Sequence, residues 1–235
     1  MEFHALPVRT GGAAENMALD FLPLQRYPHA AAIRFRHYEW RGPAFTFGFG
    51  QKIDWVRGQL PPAERLDLCR RPTGGGIVDH RRDWTYALVI PREHAWWEAR
   101  ASESYHTVHA CLAGALRELG QPASVKTQTE PAESAGPGVC FERAELYDVV
   151  HDRTGEKIAG AAQKRNKQGM LLQGSIWKPA VAELADWDVF GGRFLAALAD
   201  ALGAPVVPTP WPDFNDDEVA GLIEQYSSPE WLEYR

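Results

Sequence analysis

Residues 146–176 read LYDVVHDRTGEKIAGAAQKRNKQGMLLQGSI. Residues 146–150, 157–163 and 170–176 of this stretch favour extended backbone. Between them stand two short polar runs that end in glycine, Asp152-Arg153-Thr154-Gly155 and Asn166-Lys167-Gln168-Gly169. The pattern predicts three strands joined by tight turns. Upstream, 85–90 (TYALVI) is a nearly continuous apolar run, the mark of a buried strand that Pro91 ends. Residues 32–38 and 44–49 flank Arg41-Gly42-Pro43 and predict a hairpin, and 66–69 and 77–78 are short strand-like pieces. The clearest helix is 104–119, where Val108, Cys111, Leu112, Ala115, Leu116 and Leu119 fall on one face. Gly120 is its predicted cap, and Pro122 prevents continuation. Shorter helices are predicted at 16–24, 194–202 and 217–226. Residues 121–138 turn to Pro, Ala, Ser, Glu and Gly and predict a long loop, a kind of segment that is usually functional. Helices set among several strands predict one α+β domain over residues 1–235.

Composition narrows the function classes. The chain has 235 residues, 45% of them hydrophobic, and its nine Trp, ten Phe and seven Tyr exclude a disordered protein. A formal net charge of −6 argues against a general binder of nucleic acid or anionic membrane. No apolar run approaches the ~18 residues of a membrane span, and Met1-Glu2-Phe3-His4 does not read as a signal peptide. Three Cys, at 69, 111 and 140, cannot form a full disulfide framework. A soluble cytoplasmic protein is expected.

Four stretches can carry chemistry. In RRPTGGG (70–76), three glycines permit close approach of backbone to a ligand, and two arginines offer bidentate donors. No Gly-Lys-Ser/Thr follows, so it is not a P-loop, and an ordinary glycine-rich turn with a solvated basic flank has the same appearance. Cys140 ends the long loop, at a junction where catalytic groups often sit, although most cysteines are small buried hydrophobes. Lys157 precedes the small residues Ala159, Gly160, Ala161 and Ala162, a strand flat enough for a ligand to lie against; an edge lysine reads the same way. His80 is the fourth, and a lone His is usually structural. The Cys and His residues show no zinc spacing, and Gly-x-Ser-x-Gly is absent.

Taken in order, six motifs resemble the biotin/lipoate protein ligase and transferase superfamily over about residues 10–180. They are ENMALD (15–20), RFRHYEW (34–40) leading to GFGQ (48–51), and RRPTGGG with His80 and Thr85-Tyr86. CFERAELYDVV (140–150), GEKIAGAAQKR (155–165) and LLQGSI (171–176) complete the set. The resemblance implies a single catalytic domain of mixed β-sheets flanked by helices, with a helical segment at about 180–235. Cys140-Phe141 and the run from Trp84 to Val89 are most similar to the cysteine-dependent octanoyltransferases of ligase-like type. Two positions depart from the family pattern. Arg81 stands where Asp follows the His, and Gln173-Gly174 lacks the His commonly placed between them.

That branch implies transfer of an octanoyl group from acyl carrier protein to a lipoyl domain of the glycine cleavage H protein or of a 2-oxoacid dehydrogenase E2, through a Cys140 thioester. It also implies Lys157 as a catalytic donor to the acyl carbonyl. Arg71, Thr73, Gly74, Gly75, Gly76, His80, Gly160 and Ala161 would bind the acyl group. Backbone N–H groups near Gly74–76 and Gly160-Ala161 would hold an oxyanion. The acyl pocket would be lined by Gly74–76 and Ala159–162, and no cofactor or metal is required. Both expected partners are typically acidic, so Arg70, Arg71, Arg81 and Arg82 are expected to form a local basic docking patch. The alternatives are an ATP-dependent lipoate ligase, an amidotransferase moving acyl groups between carriers, and a non-catalytic acyl-binding relative.

Overall fold

A computed structural model of the chain describes residues 1–25, 32–61, 66–128 and 143–234. In chain order the elements are β1 (Phe3–Ala5), β2 (Arg9–Gly11), α1 (Ala13–Gln25), β3 (Ile33–Trp40), β4 (Ala44–Phe47), α2 (Ile53–Gln59), β5 (Asp67–Arg70), β6 (Ile77–Asp79) and β7 (Asp83–Pro91). There follow α3 (Ala95–Glu98), α4 (Ala101–Glu118), β8 (Ala123–Val125), β9 (Val149–His151), β10 (Lys157–Asn166) and β11 (Gly169–Trp177). A 3-10 turn (Lys178–Val181), α5 (Trp187–Leu202), β12 (Val206–Pro208), α6 (Asp216–Ser227) and α7 (Pro229–Leu232) complete the set.

The apolar run at 85–90 lies at the centre. Every residue of β7 is buried, because the strand has neighbours on both edges and helices over both faces. The large sheet runs β12-β1-β3-β7-β11-β10-β9-β8, with β2 also beside β3. It is parallel among β12, β1, β3 and β2, and antiparallel from β3 to β8. On one face Trp84, Tyr86, Leu88 and Ile90 pack with Val108 and Leu112 of α4 and Phe190 and Phe194 of α5. On the other, Ala87 and Val89 pack with Leu24 of α1, Tyr38 and Leu171. The alternation of a strand thus feeds two separate clusters. Each large side chain so buried contributes about 1.5–3 kcal/mol.

β10 and β11 form the hairpin expected from the opening stretch, in register from Ala159 opposite Ile176 to Asn166 opposite Gly169. Helix α4 matches its periodicity, and Gly120 follows it with φ +78°, a value that favours glycine. Helix α1 begins where the carboxylate of Asp67 accepts the Ala13 N–H at 2.6 Å, so a residue of β5 satisfies one of its orphan donors. Among the described residues no helix is long and apolar enough to cross a membrane.

Three expectations are corrected. The segments flanking Arg41-Gly42-Pro43 do not form a hairpin. β3 belongs to the large sheet, whereas β4 is the middle strand of a small sheet ordered β5-β4-β6. The turn carries the chain between sheets because β4 finds closer partners in β5 and β6. The predicted loop 121–138 contains β8, which pairs antiparallel with β9; residues 129–142 of this region lie outside the described residues. Helix α5 starts at Trp187, about two turns before the predicted 194.

Candidate active site

The two sheets face each other across a narrow cavity of about 40 Å³. From the large sheet, β10 supplies Gly160, Ala161 and Ala162, and β11 supplies Gln173, Gly174 and Ser175. Thr46, Arg71, Gly75, Val78 and His80 come from the small sheet and its connections. Small residues at 160–162 leave the room. Of the pocket residues expected from the sequence, Gly75, Gly160, Ala161 and Ala162 line it. Ala159 instead lies fully buried in the main core.

The glycine-rich turn is braced from within. Arg71 is buried and donates from Nη2 to the carbonyls of Gly74 and Gly76 at 2.8 and 2.9 Å, and from Nη1 to Thr46 Oγ1 at 2.9 Å. Gly75 has φ +91°, which a side chain rarely adopts. The Thr73 hydroxyl donates to Gln173 Oε1 at 2.7 Å, joining the turn to β11. Gly48 lies directly under the turn: a Cβ there would sit 2.1 Å from the Gly75 oxygen, with only backbone around it. Gly48→Ala is therefore expected to cost about 1–3 kcal/mol, lowering Tm by roughly 2–12 °C for a chain of this size. Gly50→Ala, where a Cβ meets nothing within 4 Å, is the control and should shift Tm little. Thermal unfolding of both variants checks the difference.

His80 sits in the cavity wall, stacked on Trp40 with ring centroids 3.9 Å apart. Its Nε2 is 2.7 Å from Thr46 Oγ1 and its Nδ1 is 2.7 Å from Asp83 Oδ2. The same carboxylate oxygen accepts from Thr85 Oγ1 at 2.7 Å and Ser175 Oγ at 2.5 Å. A second buried network starts on α1. Asp20 accepts from Gln173 Nε2 at 2.6 Å and from the Tyr38 hydroxyl at 3.0 Å, and Arg36 lies 3.4 Å from its other oxygen. Burial raises the Asp20 pKa above its usual value, against the pull of Arg36.

Lys157 is buried rather than on a solvated edge. Its Nζ is 2.7 Å from Asp148 Oδ2, and it folds over Gly160, where an added Cβ would come within 2.8 Å of Lys157 Nζ. Asp148 also accepts from the Tyr105 hydroxyl at 2.5 Å and from the Glu145 N–H at 2.6 Å. Tyr147, next to Asp148, has φ +69°, an uncommon value away from glycine. The strand pairing slips between Lys157 and Ala159, the kind of irregularity that re-aims a side chain.

The structure corrects three expectations at the site. The Ala161 N–H donates to the Tyr105 hydroxyl at 3.0 Å, so it is occupied and does not serve as an oxyanion donor in this arrangement. The basic patch is reduced to Arg81 and Arg82, both exposed. Arg70 is buried and donates to the carbonyls of Phe49, Gln51, Trp231 and Leu232. Arg71 braces the turn, and exposed Arg81 is held by Asp79 at 2.7 Å. Arginines gain more from carbonyl acceptors in a desolvated turn than a surface reading of an Arg-Arg pair suggests. Gly74 is exposed and Gly76 half-buried, both engaged through their carbonyls, and neither lines the cavity. Cys140 lies outside the described residues. Sequence reasoning missed Thr46, Asp83, Asp20, Arg36, Asp148 and Tyr105. The available signal was polar residues on faces otherwise buried, such as Asn16 and Asp20 one helical turn apart on α1.

Residues 12–178 match the lipoyl protein ligase A/B catalytic domain. Among curated proteins, octanoyltransferase LipM of Halalkalibacterium halodurans is 33% identical over 172 residues, covering 69% of this chain and 61% of that protein. Octanoyltransferase LipM of an Exiguobacterium species is 32% identical, with 98% of this chain and 97% of that protein covered. The match thus spans about three fifths of the length of the first of these relatives and nearly all of the second. Among solved structures, a lipoate-protein ligase A bound with ATP aligns with TM-score 0.75 at 17% identity, over 99% of each chain. The bi-partite lipoate protein ligase of Thermoplasma acidophilum aligns with TM-score 0.73 at 18% identity, over 99% of this chain and 96% of that one. At these identities the structures establish a shared fold of mixed sheets flanked by helices. The chain belongs to the lipoyl protein ligase A/B catalytic domain family.

Proposed function

We propose that the protein is an octanoyltransferase of lipoate biosynthesis, acting in the cytoplasm as a single catalytic domain over residues 1–235. It takes octanoyl from octanoyl-acyl carrier protein as a Cys140 thioester and passes it to a lysine of a lipoyl domain, on the glycine cleavage H protein or a 2-oxoacid dehydrogenase E2. The observation that carries this reading is a cavity walled by small residues, with a buried lysine at its edge, in a chain that aligns with proteins named octanoyltransferase. An octanoyl chain carries about six methylenes, each worth ~0.8 kcal/mol on burial, so full enclosure of the chain would contribute about 5 kcal/mol. The Cys140 thiolate attacks the carrier thioester, forming a new C–S bond as the carrier thiol leaves. The lysine amine then attacks the enzyme thioester. Lys157 donates to the acyl carbonyl during both steps, with Asp148 holding it in place. Its positive charge also favours the thiolate. The carrier thioester is already activated, so neither step calls for ATP.

Intact mass of the protein after incubation with octanoyl-acyl carrier protein, without ATP, tests the reading. A gain of one octanoyl group that disappears on adding a lipoyl domain is expected. Modification of the lipoyl domain only with ATP and free lipoate would replace the reading with an adenylate-forming ligase.

A further inference from the structure

We propose that Thr46, His80 and Asp83 form a proton relay through the cavity wall, which takes up the proton an amine must lose when it attacks a bound acyl group. The proposal rests on the acyl-transfer reading above and gives His80, expected from the sequence to contact the acyl group, a part in its proton transfer.

Thr46 and His80 both line the cavity. The Thr46 oxygen lies 2.7 Å from His80 Nε2 and accepts from Arg71 Nη1 at 2.9 Å. Its own proton therefore points at the imidazole, and one lone pair is left for an incoming N–H. Asp83 fixes the other side of the ring. Its Oδ2 is 2.7 Å from His80 Nδ1 and also receives the hydroxyls of Thr85 and Ser175. That oxygen accepts two hydroxyls and faces Nδ1 as an acceptor; with the ring proton on Nδ1, Nε2 is the ring's acceptor toward Thr46. Hydroxyl, imidazole and buried carboxylate stand in line at hydrogen-bond distance, the arrangement that activates hydroxyl groups in unrelated hydrolases.

The relay also has an exit. His80 and Asp83 also border a second cleft of about 420 Å³, where Glu39, Arg81, His37 and Lys178 are at least partly exposed. A proton received from the inner cavity can leave there without water entering the acyl site. In the transfer step the amine nitrogen forms a C–N bond as the C–S bond to Cys140 breaks. One N–H proton passes to Thr46 Oγ1 as the Thr46 proton passes to His80 Nε2. The thiolate is the leaving group, and the positive charge rests on His80 beside Asp83. Thr46 and His80 are catalytic in this scheme and Asp83 is a positioning residue.

The test compares two acceptors. Wild-type, His80→Asn, Thr46→Val and Thr46→Ser proteins receive octanoyl-acyl carrier protein, then either a lipoyl domain or hydroxylamine, and acyl transfer is timed by mass. Hydroxylamine is uncharged at neutral pH and sheds its proton readily, so it needs the relay less. His80→Asn and Thr46→Val should slow transfer to the lipoyl domain about 100-fold or more, and to hydroxylamine by less than about tenfold; Thr46→Ser should stay near wild type. Equal slowing with both acceptors would show a merely structural role and overturn the relay. So would wild-type transfer by Thr46→Val, which keeps the side-chain volume and decides the matter if His80→Asn does not fold. A wild type that transfers to neither acceptor overturns the acyl-transfer reading itself, and the relay with it.

Discussion

Given octanoyl-acyl carrier protein and no ATP, the Cys140→Ala protein is expected to gain no octanoyl mass and to modify no lipoyl domain. The expectation rests on the two other thiols as much as on Cys140. Cys69 is buried, 1% exposed, and donates to the carbonyls of Arg70 and Tyr226. Burial first, then the nearby Asp67, pushes its pKa far above the usual thiol range. The Cys111 thiol, on α4, is held by the Ala197 carbonyl at 3.4 Å, and burial pushes its pKa up to about 11. At neutral pH a group with that pKa is ionised on the order of one part in 10⁴, and the thiolate is the nucleophile. Neither can stand in for Cys140. A Cys140→Ser protein should transfer weakly, since an oxygen nucleophile is far less ionised. Octanoyl gained by Cys140→Ala at the wild-type rate would overturn the covalent route.

Asp148→Ala is expected to be the most destabilising of these substitutions. The change takes away the carboxylate that faces the buried ammonium of Lys157 at 2.7 Å and removes the acceptor of the Tyr105 hydroxyl. Breaking a buried ion pair from one side costs about 3–5 kcal/mol, which corresponds to a fall in Tm of roughly 6–20 °C for a chain of this length. Asp148→Asn keeps an acceptor oxygen and should lose less. Urea unfolding of the three proteins measures both effects, and a loss below about 1 kcal/mol for Asp148→Ala would mean that Lys157 does not depend on this carboxylate for its burial. Acyl transfer should fall with stability in Asp148→Ala and fall also in Asp148→Asn, since Lys157 loses its charged anchor in both.

What could be read from the residues alone follows a simple division. Local periodicity reports which residues share a face, so helix α4, the β10–β11 hairpin and the wholly buried β7 were legible from Val108 to Leu119, from Lys157 to Ile176 and from Thr85 to Ile90. Pairing across the chain leaves no such trace. β4 and β5 are parallel neighbours separated by a helix, and a Gly-Pro turn reads as a hairpin whether or not its flanks pair. Three-residue strands such as β1, β2 and β12 are too short to show a period. At the site, motif order located the glycine-rich turn, His80 and Lys157. It did not show that Arg70 and Arg71 point inward, because an arginine paired with carbonyls has the same letter as one in water. Nor did it show that Tyr105, more than 50 residues from Ala161, spends its hydroxyl on that N–H.

Arg70 ties the turn to a distant part of the chain. Its guanidinium is held by two carbonyls just after β4 and by two from α7, at a sequence separation of 161 or more. α7 is a single four-residue turn with no fully buried residue, and elements of that kind open locally far more often than the strands of a core do. Each such opening strips two acceptors from a cation enclosed beneath the strand that leads into Arg71 and the glycines. The order of the glycine-rich turn is therefore tied to the fraying equilibrium of α7, and the two should share one protection factor in hydrogen exchange.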